Sequence, residues 1–492
     1  MSSFAKLPYR YIYFSGLILF ILAAFFSEGY FHPDEHFQIL EFCNYKLGLS
    51  SSIDLPWEFD EKIRPALQPL LAVGVIRVLR MIHIDNPFIW ALILRVLTAL
   101  FSWFVISKMT IYLAKDFSNE TAKKILVLLS FFLWFMPVIS VRFSSENYGG
   151  LTFLLALYSI LVGLDSDGKK KIIQFIFAGF LLGFSFFFRF QMGFAIVGMG
   201  MWLLWVKRIN WLSLTILILS GITAMLISTI ADFVFYGTWT CTPLNYLIVN
   251  IIEHKAAHWG VQPWWHYFTM FINGVFPPVS IVLLILFLIG LYQKPKHLLT
   301  WCILPFIIGH MLVGHKEMRF MFPAAFMFIF LVSQGIDYFI SKQKYHRVIR
   351  ITFLICLWIN IPLLIITSAI PARDSVCYYK YLYRNFSERT IELLSTGSTV
   401  YETVNLEVNF YRAKNVHCIV VYDAKDEIEY VHTTQPDSLY VLERDQHEDN
   451  SYPGYKKETM YSLFPGWILK NNFFHWQNRT RIWKIMKLKK IK

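Results

Sequence analysis

Long apolar runs separated by short polar segments fill the first 370 residues of the chain. A bilayer crossing by a helix needs about 20 mainly apolar residues. By that measure the candidate spans are 11–28, 88–113, 125–141, 149–164, 171–187, 191–206, 211–235, 268–291, 298–313, 319–340 and 349–370. The run 66–82 is also apolar but carries Pro69, Arg77 and Arg80. If it lies in, or dips into, the outer leaflet, almost every basic cluster between spans falls on one side. These are Lys6 and Arg10, Lys115, Lys123 and Lys124, Lys169 to Lys171, Lys207 and Arg208, Lys294 and Lys296, and Lys342, Lys344, Arg347 and Arg350. Such asymmetry marks the cytoplasmic side, so the pattern predicts about eleven spans with the N-terminus inside and the C-terminus outside. The first run lacks a small-residue cleavage site and reads as a retained anchor.

From about Ala372 the pattern changes to short alternating stretches with frequent charges. Residues 398–403, 418–422 and 439–444 read as strands and 405–413 as a helix between them. The chain is therefore expected to be an all-α polytopic membrane protein carrying a small outer-face α/β domain. Residues 1–371 form the transmembrane catalytic domain, with a first outer loop at 29–87, and residues 372–492 the second domain. The basic end, 484–492, reads as a contact with anionic headgroups. Its last residues, Lys489-Lys490-Ile491-Lys492, resemble a dilysine retrieval signal, which needs a cytoplasmic tail and so conflicts with this topology.

Composition supports lipid as the main solvent. Hydrophobic residues make up 56% and charged residues 16% of the chain, where soluble proteins average about 25% charged. The net charge of +13 sits in loops between spans, which argues against nucleic acid. The six cysteines (Cys43, Cys241, Cys302, Cys356, Cys377, Cys418) form no CxxC and no metal spacing. Cys302 and Cys356 read as small core residues, and a Cys377–Cys418 pair is allowed but not demanded. His83, His254 and His258 lack partners at ligand spacing, so no metal site is expected.

With this topology the polar groups that apolar spans tolerate poorly gather at one face. His32, Asp34, Glu35 and Gln38 open the first outer loop, followed by Trp57, Glu58 and Arg64. Arg142, Glu146, Arg189 and Tyr236 come next, then Trp264 and His266, and finally His315, Lys316, Glu317 and Arg319. Carboxylates suit general-base work, an excess of cations suits a phosphate, and Trp and Tyr suit a sugar ring. There is no phosphate-binding glycine loop, dinucleotide turn or serine elbow. The set fits transfer of a sugar from a lipid phosphate. Blander readings exist for single residues. Asp34 or Glu35 would cap the helix that runs to Leu47, Lys316 and Arg319 would snorkel to headgroups, Glu146 would be a surface cap, Arg189 would pair with local backbone, and 260–267 would be an interfacial aromatic belt. A transporter or flippase is the rival class, but it would place charges near mid-membrane in related halves, and no repeated halves are found.

Five blocks carry a family resemblance. They are His32-Pro33-Asp34-Glu35 with Phe37, Gln38 and Glu41; Trp57-Glu58 with Ile63-Arg64; Tyr236-Gly237-Thr238-Trp239 through Thr242-Pro243-Leu244-Asn245-Tyr246 and Asn250; Gly260-Val261-Gln262-Pro263-Trp264-Trp265-His266-Tyr267; and His315-Lys316-Glu317-Met318-Arg319-Phe320. Over roughly residues 11–340 the chain resembles glycosyltransferase family 22, the dolichyl-phosphate-mannose-dependent α-mannosyltransferases of the GT-C fold, which includes GPI-anchor and lipid-linked-oligosaccharide enzymes. It departs at Pro65, where Ser is usual, and at Gln262, where His is usual. The resemblance implies inverting transfer of mannose from a dolichyl or polyprenyl phosphate to a glycan or glycolipid at the outer face, with Asp34 as base and Glu35 as the alternative or supporting acid. Lys316 and Arg319 are the first candidates for donor-phosphate contacts, with His315, Arg64, Arg142 and Arg189 beside them. His32, Gln38, Trp57, Glu58, Glu146, Tyr236, Trp264, His266 and Glu317 are the acceptor or sugar contacts. Another lipid-phosphate sugar is the alternative donor. No cofactor is called for, and divalent-metal dependence is left open. The simple tail favours a bacterial inner membrane slightly over the endoplasmic reticulum.

Overall fold

The computed structural model describes residues 8–342, 346–443, 452–472, 475–477 and 482–491. Lys6, Lys344, Arg444 and Lys492, which entered the sequence reading, lie outside the described residues. Among the described residues, seven helices are long and apolar enough to cross a bilayer: Tyr9–Phe26, Pro87–Asp116, Ser145–Leu164, Gly168–Phe188, Trp211–Tyr236, Met318–Lys342 and Arg350–Ala369. The predicted spans 191–206, 268–291 and 298–313 correspond to shorter apolar helices, Met192–Lys207, Val279–Gln293 and Leu298–Leu312.

The predicted span 125–141 is corrected to a broken one. Helix Glu120–Phe132 stops, Leu133 turns extended, and a short helix Phe135–Ser140 follows. Pro137 has no amide to give the Leu133 carbonyl, so the ladder fails there. Backbone freed inside an apolar region needs new partners. Asn360 supplies them, accepting from Trp134 N at 2.9 Å and donating to Phe132 O at 2.8 Å, while Thr367 Oγ1 donates to Trp134 O at 3.1 Å. The run 66–82 forms the helix Leu67–Met81. Gln68, Pro69, Ala72, Val73, Ile76 and Leu79 are buried on one face.

The chain forms two compact units. One comprises Met1–Ser27, Trp57–Val78 and Leu92–Ile370. Small residues set its closest helix contacts, as is usual where lipid offers no hydrophobic drive. A Cβ on Gly179 would stand 2.5 Å from Leu217 O, and one on Gly183 would stand 2.5 Å from Gly221 O. Only glycine at those positions lets Gly168–Phe188 lie against Trp211–Tyr236.

The other unit comprises Glu28–Pro56, Leu79–Ala91 and Pro371–Lys492. Much of the first loop thus packs with the C-terminal residues. Its sheet holds β1 (Ile391–Thr396), β4 (Val416–Val421), β5 (Ser438–Glu443), β6 (Tyr455–Ser462) and β7 (Lys484–Lys490) in the order β4-β1-β5-β7-β6, and β2 (Glu402–Thr403) and β3 (Leu406–Glu407) form a separate hairpin. β4, β1 and β5 are parallel, and β7 and β6 are antiparallel to their neighbours. Several expectations change here. Residues 405–413 are not a helix, because they supply β3 and turns. Of 398–403 only the last two residues are strand. Among the described residues of this C-terminal part, the helices are Ser375–Asn385, Ala424–Thr434 and the short Gly466–Leu469. The basic end is a strand rather than a free tail, since Ile485, Met486 and Leu488 are buried in β7 while Lys489 and Lys490 are exposed. All six cysteines are free, so Cys377 and Cys418 form no disulfide. Burial raises both of their thiol pKa values, that of Cys377 to about 11.

Candidate functional site

The first unit brings together three motifs that are far apart in sequence. Glu146 lies in the first turn of Ser145–Leu164, whose N-cap is Ser144, a position where the helix dipole favours negative charge. Arg189 is the extended residue that ends Gly168–Phe188. Arg319 opens the 3-10 turn Met318–Ala324. Glu146 Oε1 lies 3.3 Å from Arg189 Nη2 and 3.2 Å from Arg319 Nη1. Arg319 also holds Glu317 through Nε at 2.5 Å and Nη2 at 3.0 Å, and Glu317 Oε1 lies 3.0 Å from His315 Nε2. Both guanidiniums lie about 5 Å from the Phe320 ring, Arg189 at 4.9 Å and Arg319 at 5.1 Å.

Arg189 and Arg319 are 6% exposed, Lys316 4% and Glu146 2%. The snorkelling reading of Lys316 and Arg319 is therefore overturned, as are the surface-cap reading of Glu146 and the local-backbone reading of Arg189. Lys316 donates through Nζ to Val313 O, and its ammonium lies 5.9 Å from the Tyr267 ring. Lost hydration holds its pKa below the ordinary lysine value. Arg189 and Arg319 pair with Glu146 and Glu317, and Lys316 of the same motif as Arg319 adds a third buried cation against these two carboxylates.

A second polar group in the same unit gathers the Trp57–Arg64 and Tyr236–Tyr246 blocks. Arg64 Nη2 lies 3.5 Å from Glu58 Oε1, and the Arg64 carbonyl accepts from Tyr236 OH at 2.7 Å. The Trp57 ring has Lys255 Nζ 4.0 Å above it, and Lys255 pairs with Glu61 at 2.9 Å. Arg64 also lies over the Tyr246 ring, whose hydroxyl accepts from Gln191 Nε2 at 2.8 Å. Gln191 follows Arg189 by two residues and so links the two groups. The sequence reading missed Asp232, which is fully buried. It accepts from Ala66 N at 2.7 Å at the start of the amphipathic helix and from Thr242 Oγ1 at 2.7 Å. A lone carboxylate near the end of an apolar run was the available signal.

Three predicted residues of this unit stand elsewhere. Arg142 does not join the other cations. It donates to Ser27 O at 3.2 Å and Ser27 Oγ at 2.8 Å, at the C-terminus of Tyr9–Phe26, where a cation suits the dipole. Trp264 is 61% exposed, and His266 bonds only within its own helix turn, to Thr269 at 3.3 Å.

In the second unit, the first-loop motif makes a helical stretch over 33–46 whose middle, His36–Glu41, is a π-helix, a rare form often found at functional sites. The cap is neither Asp34 nor Glu35: His32 Nδ1 accepts from Asp34 N at 3.3 Å. Glu35 Oε2 accepts from Phe31 N at 3.1 Å, and Gln38 is buried. Glu41 accepts from Phe410 N at 2.8 Å and lies 2.7 Å from His36 Nε2. His36 stacks 5.5 Å from Tyr411. The motif thus buries His36 and Glu41 as anchors and leaves the Asp34 side chain partly exposed. Among the described residues, no three His, Cys, Asp or Glu side chains gather as metal ligands.

Comparison with known proteins identifies the family. Residues 11–403 match the model of the Alg9-like mannosyltransferase family. The GPI alpha-1,2-mannosyltransferase 3 of Mus musculus is 26% identical over 384 residues, 74% of this chain and 65% of that protein. The GPI mannosyltransferase 3 of Candida albicans is 25% identical over 95% of this chain and 96% of its own length. Both are eukaryotic, so the lean towards a bacterial inner membrane finds no support. ArnT from Cupriavidus metallidurans, solved with undecaprenyl phosphate, shares the fold at a TM-score of 0.56 and 11% identity, covering 97% of this chain and 98% of ArnT. With its apolar helices, its small sheet domain and a family match over most of its length, the chain belongs to the Alg9-like mannosyltransferase family and is a multi-pass membrane mannosyltransferase of the GT-C type.

Proposed function

We propose that the chain moves mannose from a dolichyl or polyprenyl phosphate to a GPI-type glycolipid at the outer, luminal face of the endoplasmic reticulum, leaving an α-1,2-linked mannoside. Asp34 takes the proton of the acceptor hydroxyl, whose oxygen attacks the anomeric carbon. The bond from that carbon to the phosphate oxygen breaks, and the lipid phosphate leaves with the electron pair. Attack opposite the leaving group converts a β-linked donor into an α-mannoside. Lys316, with Arg319, Arg189 and His315 around it, neutralises charge on the leaving phosphate.

The observation that carries this reading is the buried cationic surplus around Lys316. A cation out of water and not fully matched by carboxylates suits a phosphate. The relatives' printed names support the acceptor class and linkage. The direct test incubates the purified full chain with radiolabelled dolichyl-phosphate mannose and a synthetic GPI acceptor. An α-1,2-linked product is expected, and no transfer with any GPI acceptor would overturn the acceptor assignment.

Lys316→Ala is expected to raise the donor KM about tenfold, the loss of roughly one charge-assisted hydrogen bond. Its pH dependence has a defined sign. The ammonium grips the phosphate below the depressed Lys316 pKa and loses that grip as pH rises through it, so donor affinity declines at lower pH than for an ordinary lysine. Lys316→Arg stays charged throughout and should flatten the profile. An unchanged KM in Lys316→Ala would assign the cation a structural role.

For sidedness, a reporter fused after Asp374 is expected on the outer side and one at Lys170 in the cytoplasm, from the one-sided basic loops. A cytoplasmic signal from the Asp374 fusion would reverse the assignment.

A further inference from the structure

The segments 260–262 and 314–316 run side by side, held by three hydrogen bonds. Gln262 N donates to Gly314 O at 3.0 Å, Lys316 N donates to Gln262 Oε1 at 2.9 Å, and His315 Nδ1 lies 3.2 Å from Gly260 O. The approach is close, since a Cβ on Gly314 would meet Val261 Cγ1 at 3.3 Å. Two of the three bonds use Gln262, one through its backbone and one through its side chain. The side-chain bond ends on the backbone amide of Lys316, in a stretch where 313–317 is irregular and provides no ladder partner for that amide. Gly260 is at φ +100°, which favours glycine and sets the bend before Gln262.

We infer that Gln262 is a positioning residue for the donor phosphate, its amide oxygen fixing the turn that presents His315 and Lys316. The inference rests on the reading of Lys316 as a phosphate contact. The loop does not fix this turn unaided. Lys316 Nζ bonds back to Val313 O within the same turn, so the ammonium's place depends on where the turn's backbone is held. Gln262 supplies, from the neighbouring segment, the side-chain acceptor for the Lys316 amide. A histidine at this position would also carry a ring nitrogen able to accept a backbone N–H.

The test is a set of single variants of the full chain in detergent, with binding of radiolabelled dolichyl-phosphate mannose and transfer kinetics measured on each. Gln262→Met keeps the length of the side chain but has no comparable acceptor. It is expected to weaken donor binding about fivefold, the worth of one ordinary hydrogen bond, with kcat and acceptor KM within twofold of the parent. Gln262→His restores an acceptor and is expected to return donor binding to within twofold. A role confined to packing would be met equally by Met and would not separate donor binding from kcat. Donor binding unchanged in Gln262→Met, while Lys316→Ala weakens it, would overturn the positioning role and leave the phosphate reading intact. Donor binding unchanged in both would overturn both. A fall in kcat without weaker donor binding would also overturn it.

Discussion

Asp34→Asn is expected to lower mannose transfer about 10²–10⁴-fold while donor binding survives. The change keeps shape and hydrogen bonding and removes only basicity. Capping does not confuse the result, because the cap at this helix is the His32 imidazole, which accepts from Asp34 N. The Asp34 carboxylate lies 3.4 Å from the same ring nitrogen and its side chain is 25% exposed, so an acceptor hydroxyl has access to it. Glu35 is 7% exposed and its oxygen accepts from Phe31 N. The amide oxygen of Glu35→Gln accepts that bond equally well, so a smaller loss is expected there. If Asp34 only complements the helix dipole, Asp34→Asn costs stability of about 0.3–1 kcal/mol and leaves the rate near that of the parent. Full activity in Asp34→Asn with an inactive Glu35→Gln would move the base one residue along, and full activity in both would remove the motif from the chemistry.

Arg319→Ala is expected to destabilise the protein by about 3 kcal/mol and to abolish transfer. Removing one partner of a buried ion pair leaves the other charge uncompensated, at a cost of about 3–5 kcal/mol. The lower end applies because Arg189 still faces Glu146. Glu317, however, loses both of its Arg319 contacts. The thermal midpoint of the solubilised protein should fall clearly, and Arg319→Lys, which keeps the charge but not the fork, should fall less. In the double variant Arg319→Ala with Glu317→Gln, the loss should be less than the sum of the two single losses, because the stranded Glu317 charge is gone. A midpoint unchanged in Arg319→Ala would show that the network contributes nothing to folding.

The two kinds of prediction differ because the cations differ in surroundings. The Lys316 ammonium meets the Val313 carbonyl and the Tyr267 ring and, among the described residues, no carboxylate, so its loss should show mainly in donor affinity. Arg319 bridges two glutamates, so its loss should show first in stability. Sequence placed both in one motif and treated them alike, since spacing reports proximity along the chain and not burial.

Much was legible along the chain. Span-length apolar runs are visible because lipid demands them, and the residues of charge-bearing motifs stand out against such runs. The chain's own pattern therefore determined that it is a multi-pass membrane protein with a polar C-terminal part, and its motifs pointed to the mannosyltransferase family. Other features depended on contacts between distant residues. The break at Leu133 is tolerated because Asn360, over 200 residues away, takes up the freed backbone groups. The last lysines form a strand because β5 and β6 offer edges on both sides and Ile485 and Leu488 have a core to enter. Arg142 was indistinguishable from Arg189 by sequence, yet one binds a helix end at Ser27 and the other a buried glutamate. Hydrophobic periodicity is a local property, and the chain can show it by itself. Which charge meets which partner, and how much water remains around the pair, is set only when the helices pack, and there the tertiary structure decided the site.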